Sequence, residues 1–134
     1  PSALDGVTPG LPGLTRAVKL QRRAARVGFD WARAVDILDK VAEESAELRH
    51  EIETGAPKER MQDELGDLLF VLANLARRLD IDPETALRGT NAKFERRFRR
   101  VEALLAERGL NPSADLLEEM ETLWLQAKTE ERGG

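Results

Sequence analysis

Five acids stand in two short groups, "EESAE" at residues 43–47 and "ELGD" at residues 64–67. On a helix, at about 100° per residue, Glu44 and Glu47 share a flank with Glu51 and Lys40, while Glu43 points further round and is the weaker candidate. In the second group Glu64 falls on the margin of an apolar stripe of Leu65, Leu68, Leu72, Leu75 and Leu79. Asp67 lies one step beyond it, and Val71 and Asn74 continue the border. Solvated helix flanks are the ordinary place for such acids in a Glu-rich chain. Two groups on consecutive helices joined by a short turn are a different matter, because antiparallel neighbours can turn all four carboxylates toward one another. Two carboxylates about 5 Å apart repel by roughly 3 kcal/mol at an effective dielectric near 20. Such a cluster needs a shared proton or a cation. Oxygen donors without Cys or His select a hard ion, Mg²⁺ or Mn²⁺ in its place, which commonly keeps waters and takes substrate phosphates as its remaining ligands.

A second set of residues suits an anion. In "NAKFERRFRR", residues 91–100, Phe94 and Phe98 continue into Val101 and Leu105 as a core stripe, and Lys93, Arg97 and Arg100 run along its edge. Arg97 can grip two phosphate oxygens at once and Lys93 can act as a point charge. A solvated basic face pairing with acidic helices fits this segment equally. Nucleic-acid contact is a third reading, in which Phe94 and Phe98 would be stacking platforms rather than core. Near the C-terminus Leu116, Met120, Leu123 and Ala127 form a stripe, with Trp124 and Lys128 one turn apart beside it. Packing is the commoner use of such a Trp, but a flat ring beside a cation can also receive a nucleobase. Trp31 reads as core packing with Phe29, and the single His50 as a surface residue.

The elements that must position these groups are helices. Of 134 residues 41% are hydrophobic, 34% charged and only 4% aromatic, the balance of amphipathic helices in one domain. Residues 1–13, with three Pro and three Gly, are an irregular lead-in. Helices are expected from Thr15 to about Val27 (stopping at Gly28), over 33–53, over 57–80 with Pro57 in the first turn, from Asp82 to about Glu107 with an interruption at Gly89, and from Ser113 to about Glu131. Nothing alternates with period two for long enough to make a sheet. The expectation is an all-α, four- to five-helix antiparallel bundle, a single domain over 14–132. The absence of Cys excludes disulfides, thiolate metal sites and a Cys nucleophile. No apolar run approaches the roughly 20 residues that span a bilayer, so a cytoplasmic chain without a membrane partner is expected. A net charge of −4 argues against a dedicated nucleic-acid binder.

Taken together, these residues resemble the MazG family of nucleoside triphosphate pyrophosphohydrolases, over about Leu14 to Lys128. Its EExxE and ExxD signature stands here as Glu43, Glu44, Glu47, Glu64 and Asp67, and its later elements as "NAKFERRF" and "LWLQAK". The resemblance implies an all-α dimer that hydrolyses a nucleoside triphosphate to the monophosphate and pyrophosphate with Mg²⁺, a reaction suited to nucleotide-pool housecleaning. It implies Glu44, Glu47, Glu64 and Asp67 as metal ligands, Lys93 and Arg97 as phosphate-binding residues, and Trp124 and Lys128 as nucleotide contacts. Further nucleotide contacts are implied around Lys40 to Glu43 and Arg60 to Asp63. Either Glu47 or Glu43 would take the proton of the attacking water. The segment "LPGLTRAVKLQRRAARVGFDW" looks like the lead-in of the C-terminal half of two-domain MazG proteins. A start at Pro1 fits either Met removal or a piece cut from a longer chain. Within the same fold, dUTP- or dCTP-preferring pyrophosphatases and phosphoribosyl-ATP pyrophosphohydrolase are the alternatives. From another class, the alternative is a non-catalytic helical module that binds nucleic acid or an acidic partner.

Overall fold

The computed structural model describes residues 1–133, and over these it is all-α, with no strand. The helices are α1 (Gly13–Arg26), α2 (Ala34–Glu53), α3 (Lys58–Arg78), α4 (Pro83–Glu107) and α5 (Leu117–Gly133), the last preceded by a 3₁₀ turn over Ala114–Leu116. The chain divides into two compact units, residues 1–86 and residues 87 onward.

In the first unit α1 and α2 each pack against α3. Small residues make the α1–α3 approach possible: Ala17, Val18 and Ala73 form a buried cluster with Leu14 against it. Gln21 is buried beside them and donates from Nε2 to the carbonyl of Phe70 at 2.9 Å. From α2, Ile37 is fully buried. The face of α3 that is covered therefore runs through Val71, Ala73 and Asn74, residues expected at most on the border of the stripe. Leu65, Leu72 and Leu79, expected in the core, are exposed, Leu79 by 52%. Side-chain hydrophobicity picks out the leucines, but two neighbouring helices choose the face by how closely their backbones approach, and that favours small side chains. Ile52 of α2 is exposed as well.

Helix ends show how local rules placed the turns. α1 starts at Gly13, two residues before Thr15, with Pro12 as its cap residue. It stops at Gly28, whose φ of 94° lets its N–H reach the carbonyl of Ala25 (3.0 Å) and the N–H of Phe29 reach that of Ala24 (3.1 Å), a Schellman ending. α3 ends in the same pair of bonds with Asp80 in the left-handed region (φ 57°), a conformation that Asp tolerates better than most non-Gly residues. Pro57 sits just before α3 rather than inside its first turn. Phe29 and Trp31 are not core: Phe29 is 78% exposed and Trp31 is exposed as well. Their connection is held instead by polar links, Arg77 to Asp30 and Arg78 Nη2 to the carbonyl of Ala32 at 2.8 Å. Burial pushes the Asp30 carboxyl up, but the bonds from Arg77 and the Trp31 N–H outweigh it and leave its pKa below the ordinary value.

The helix α4 is continuous through Gly89, against expectation. A single interior glycine costs about 1 kcal/mol relative to Ala. The start of α4 offsets this, with Asp82 accepting from the N–H of Glu84 (3.0 Å) and the hydroxyl of Thr85 (2.9 Å). In the second unit Val101, Leu104, Leu105 and Leu123 form a core against which Leu110, Leu116, Met120 and Trp124 pack. Ser113 starts its final helical segment as expected, accepting from the N–H of Asp115 at 3.2 Å.

Candidate metal centre

The short turn at 54–57 brings the acid-bearing flank of α2 against α3. Glu44, Glu47 and Glu64 each offer a carboxylate oxygen, and these three atoms lie within 4.8 Å of one another. Glu44 is 6% exposed. One of its oxygens lies 3.3 Å from Nζ of Lys40. The other is buried without a hydrogen-bond partner, and so is Oε2 of Glu64. A buried acceptor with no donor is costly, and two of them in one acid cluster are what a positive ion would satisfy. Burial, and then the nearby Glu47, Glu44 and Asp67, push the Glu64 carboxyl above its ordinary pKa. The set offers only hard oxygen donors, so a divalent cation of that preference fits it.

The other expected residues of this unit stand around the cluster. Asp67 lies outside the set of three, but it feels the cluster: burial raises its pKa, Asp63 and Glu44 raise it further, and Lys40 opposes them. Glu43 is exposed and pairs with Lys40 at 3.8 Å, so Lys40 bridges Glu43 and Glu44. These two acids, with Glu47, raise the pKa of Lys40. Arg60 pairs with Glu51 at 3.8 Å, and Asp63 is exposed. His50 is exposed, as expected.

In the second unit the basic strip is largely engaged. Arg97 donates from Nε to Glu131 at 2.8 Å and Arg100 to Glu130 at 2.9 Å, while Arg96 also reaches Glu131 at 2.9 Å. These pairs hold the pKa values of Glu130 and Glu131 below the ordinary value. Lys93 is exposed. The Arg97 guanidinium lies 5.8 Å from the centre of the Trp124 ring, within cation–π range. Phe94 is exposed, contrary to its expected core position, and stacks on Phe98 with ring centres 6.0 Å apart, while meeting Trp124 at 5.3 Å. Phe94, Glu121, Trp124 and Leu125 line an open cavity of about 360 Å³. Lys128 is half-buried one turn from Trp124. Glu130 and Glu131 had no periodic signal, and the only sequence cue to them was an acid pair in the last turns opposite an arginine-rich helix.

Residues 34–101 match the family described as the MazG nucleotide pyrophosphohydrolase domain. The chain is 47% identical over 131 residues to the nucleoside triphosphate pyrophosphohydrolase of Escherichia coli (strain K12), covering 97% of this chain and 50% of that protein. It is 38% identical over 127 residues to the nucleoside triphosphate pyrophosphohydrolase/pyrophosphatase MazG of Thermotoga maritima, covering 95% of this chain and 48% of that one. It is also 45% identical over 131 residues to the uncharacterized protein YabN of Bacillus subtilis (strain 168), covering 98% of this chain and 27% of that protein. The chain thus spans about half the length of the curated pyrophosphohydrolases it matches. With its acid signature spread over α2 and α3 inside the matched region, the chain belongs to the MazG nucleotide pyrophosphohydrolase domain family.

Proposed function

We propose that this protein hydrolyses nucleoside triphosphates to the monophosphate and pyrophosphate, with Mg²⁺, or Mn²⁺ in its place, by attack of water on the α-phosphorus. The observation that carries the reading is the convergence of Glu44, Glu47 and Glu64 with two buried carboxylate oxygens left without partners. The names of the pyrophosphohydrolase relatives support it. Bound by Glu44, Glu47 and Glu64, with Asp67 beside them, the cation would neutralise phosphate charge and acidify a coordinated water. The attacking water forms a P–O bond as the bond from the α-phosphorus to the bridging oxygen breaks, and that oxygen departs with pyrophosphate. Glu47 or Glu43, both exposed, takes the water's proton. Lys40 positions Glu44 through their ion pair. On the resemblance, substrate contacts are assigned to Lys40, Arg60 and Asp63 in the first unit. In the second they are Lys93 and Arg97 for phosphate, and Trp124 and Lys128 for the base and sugar.

The same reading includes a homodimer in the cytoplasm. Exposed Val35 and Leu38 of α2 and Leu65, Leu69 and Leu72 of α3 support the dimer, being more apolar side chains than a lone chain ordinarily leaves on two packed helices. No helix among the described residues is long and apolar enough to cross a membrane. Product identity tests the reaction. Incubation with each common NTP and dNTP plus Mg²⁺ should yield pyrophosphate and monophosphate in equal amounts. Orthophosphate with a nucleoside diphosphate would reject attack at the α-phosphorus, and no hydrolysis of any of them would reject the enzyme.

A further inference from the structure

The densest positive charge in the first unit lies away from the carboxylate cluster, on α1. That helix carries Arg16, Lys19, Arg22, Arg23 and Arg26 and no acidic residue, in a chain whose net charge is −4. Lys19, Arg22, Arg23 and Arg26 recur at helical spacings of three and four, so they share a face. With Gly6, Val7 and Thr8 they line a cavity of about 200 Å³ into which no carboxylate is built. Among the described residues neither Arg23 nor Arg26 has an acidic partner within 4.0 Å, while Lys19 and Arg22 also reach a neighbouring cavity that Asp80 and Asp82 line. Like charges at these spacings repel along a helix, and a concave wall of one sign concentrates the field.

The lead-in segment is part of this arrangement. Nη1 of Arg23 donates to the carbonyl of Asp5 at 2.7 Å, while the carboxylate of Asp5 is occupied by the N–H of Ser2 at 2.9 Å. Gly6, at φ 89°, passes so near that an added Cβ would stand 3.5 Å from Nη2 of Arg23. Residues 6–8 thereby form the wall opposite the cationic face, and one guanidinium is fixed in advance.

We propose that this cavity binds a phosphate-bearing anion, the polyphosphate tail of a nucleotide or free inorganic polyphosphate, separately from the carboxylate cluster. Four cations match the charge of a di- or triphosphate, and arginine forks suit its oxygens. The cavity is smaller than the roughly 300–1,000 Å³ that enclose drug-sized ligands, so it takes phosphate groups rather than a whole nucleotide. Lys19 and Arg22 also border this neighbouring cavity of about 320 Å³ that includes Val18, Asp80, Ile81, Asp82 and Pro83, where an attached nucleoside, but not further phosphate, has room beside the two carboxylates. No aromatic side chain lines either cavity, which disfavours the base stacking that single-stranded nucleic acid uses.

The test is calorimetric titration of the full chain in EDTA at constant ionic strength, so that the carboxylate cluster holds no divalent cation and hydrolysis plays no part. Inorganic tripolyphosphate should bind saturably. The double variant Arg22→Ala/Arg26→Ala, which changes two exposed side chains, should bind at least tenfold more weakly with an unchanged thermal midpoint. Lys19→Ala should weaken binding in the same direction, and Arg108→Ala, at an exposed position of the second unit, should not. A non-hydrolysable triphosphate analogue that binds more tightly than tripolyphosphate assigns the site to a nucleotide, and equal binding assigns it to free polyphosphate. The proposal is overturned by absence of saturable binding, by retention of affinity within twofold in both the double variant and Lys19→Ala, or by tighter binding of duplex DNA than of tripolyphosphate.

Discussion

Replacing Glu44 by Gln keeps the shape of the side chain and one oxygen donor while removing a single negative charge, so it isolates what the carboxylate cluster is for. Glu44 is nearly buried, with one oxygen on Lys40 at 3.3 Å and the other unpartnered. A divalent cation about 2.1 Å from a carboxylate oxygen gains about 4 kcal/mol from that unit charge even at the dielectric of water. The amide oxygen left behind recovers part of this through its dipole. At about 1.4 kcal/mol per tenfold, the expected net loss is about a hundredfold in cation affinity. Pyrophosphate release at fixed, subsaturating Mg²⁺ should fall at least as far. Titration with Mn²⁺ reads the affinity directly, and pyrophosphate release as a function of Mg²⁺ reads its consequence. Lys40→Met is the companion, since it deletes the cation that already competes for Glu44. In the absence of nucleotide it should tighten Mn²⁺ binding, opposite in sign to Glu44→Gln. Packing damage would weaken binding in both variants. A Glu44→Gln protein that binds Mn²⁺ within threefold of wild type and releases pyrophosphate normally would remove Glu44 from the metal site.

In EDTA, Glu64→Gln should melt at a higher temperature than wild type, by a margin that grows as pH rises above the ordinary glutamate value of 4.5. With its pKa raised, folded wild type binds the Glu64 proton more tightly than the unfolded chain does, so its stability falls as pH climbs through that raised value. Saturating Mg²⁺ should reverse the margin, and a margin flat from pH 4.5 to 8 would count against the buried, crowded carboxyl. Asp30, Glu130 and Glu131 have lowered pKa values that act with the opposite sign, but they are common to both proteins and cancel in the comparison. Trp124→Ala should raise the KM for a nucleoside triphosphate about tenfold, from lost stacking, with kcat little changed; an unchanged KM would return Trp124 to packing alone. Leu105→Ala, at a fully buried position in the second unit's core, should cost about 2–5 kcal/mol in urea unfolding, and a cost below 1 kcal/mol would show that this core is not tightly packed.

How far the site could be read from sequence follows from which interactions are local. Glu44 and Glu47 share a flank because of helical period alone, and a short turn is enough to bring the next helix's Glu64 to them. Those three positions were legible in "EESAE" and "ELGD". Asp67 followed the same wheel, three residues on from Glu64 as Glu47 is from Glu44, yet it lies outside the tight set, its side chain being one methylene shorter. The buried face of α3 was not legible, because it is chosen by what packs on it, as when Ala17 of α1 meets Ala73 and Gln21 of α1 bonds the Phe70 carbonyl, and no pattern within α3 records that. The same limit explains the arginine strip. Arg97 and Arg100 find Glu131 and Glu130 some thirty residues away, a pairing set by how α4 and α5 lie together and invisible to any local period.

Those engaged arginines sharpen the chemistry. A phosphate that uses Arg97 must compete with Glu131 for it, whereas no carboxylate lines the cavity formed by Lys19, Arg22, Arg23 and Arg26. The carboxylate cluster has the complementary problem: its acids repel one another, two of their oxygens lack donors, and among the described residues Lys40 is the cation paired with Glu43 and Glu44. A negatively charged nucleotide alone would make that repulsion worse, so the acids can accept it only together with a cation. On this electrostatic ground, nucleotide and divalent cation should bind to the first unit with positive cooperativity.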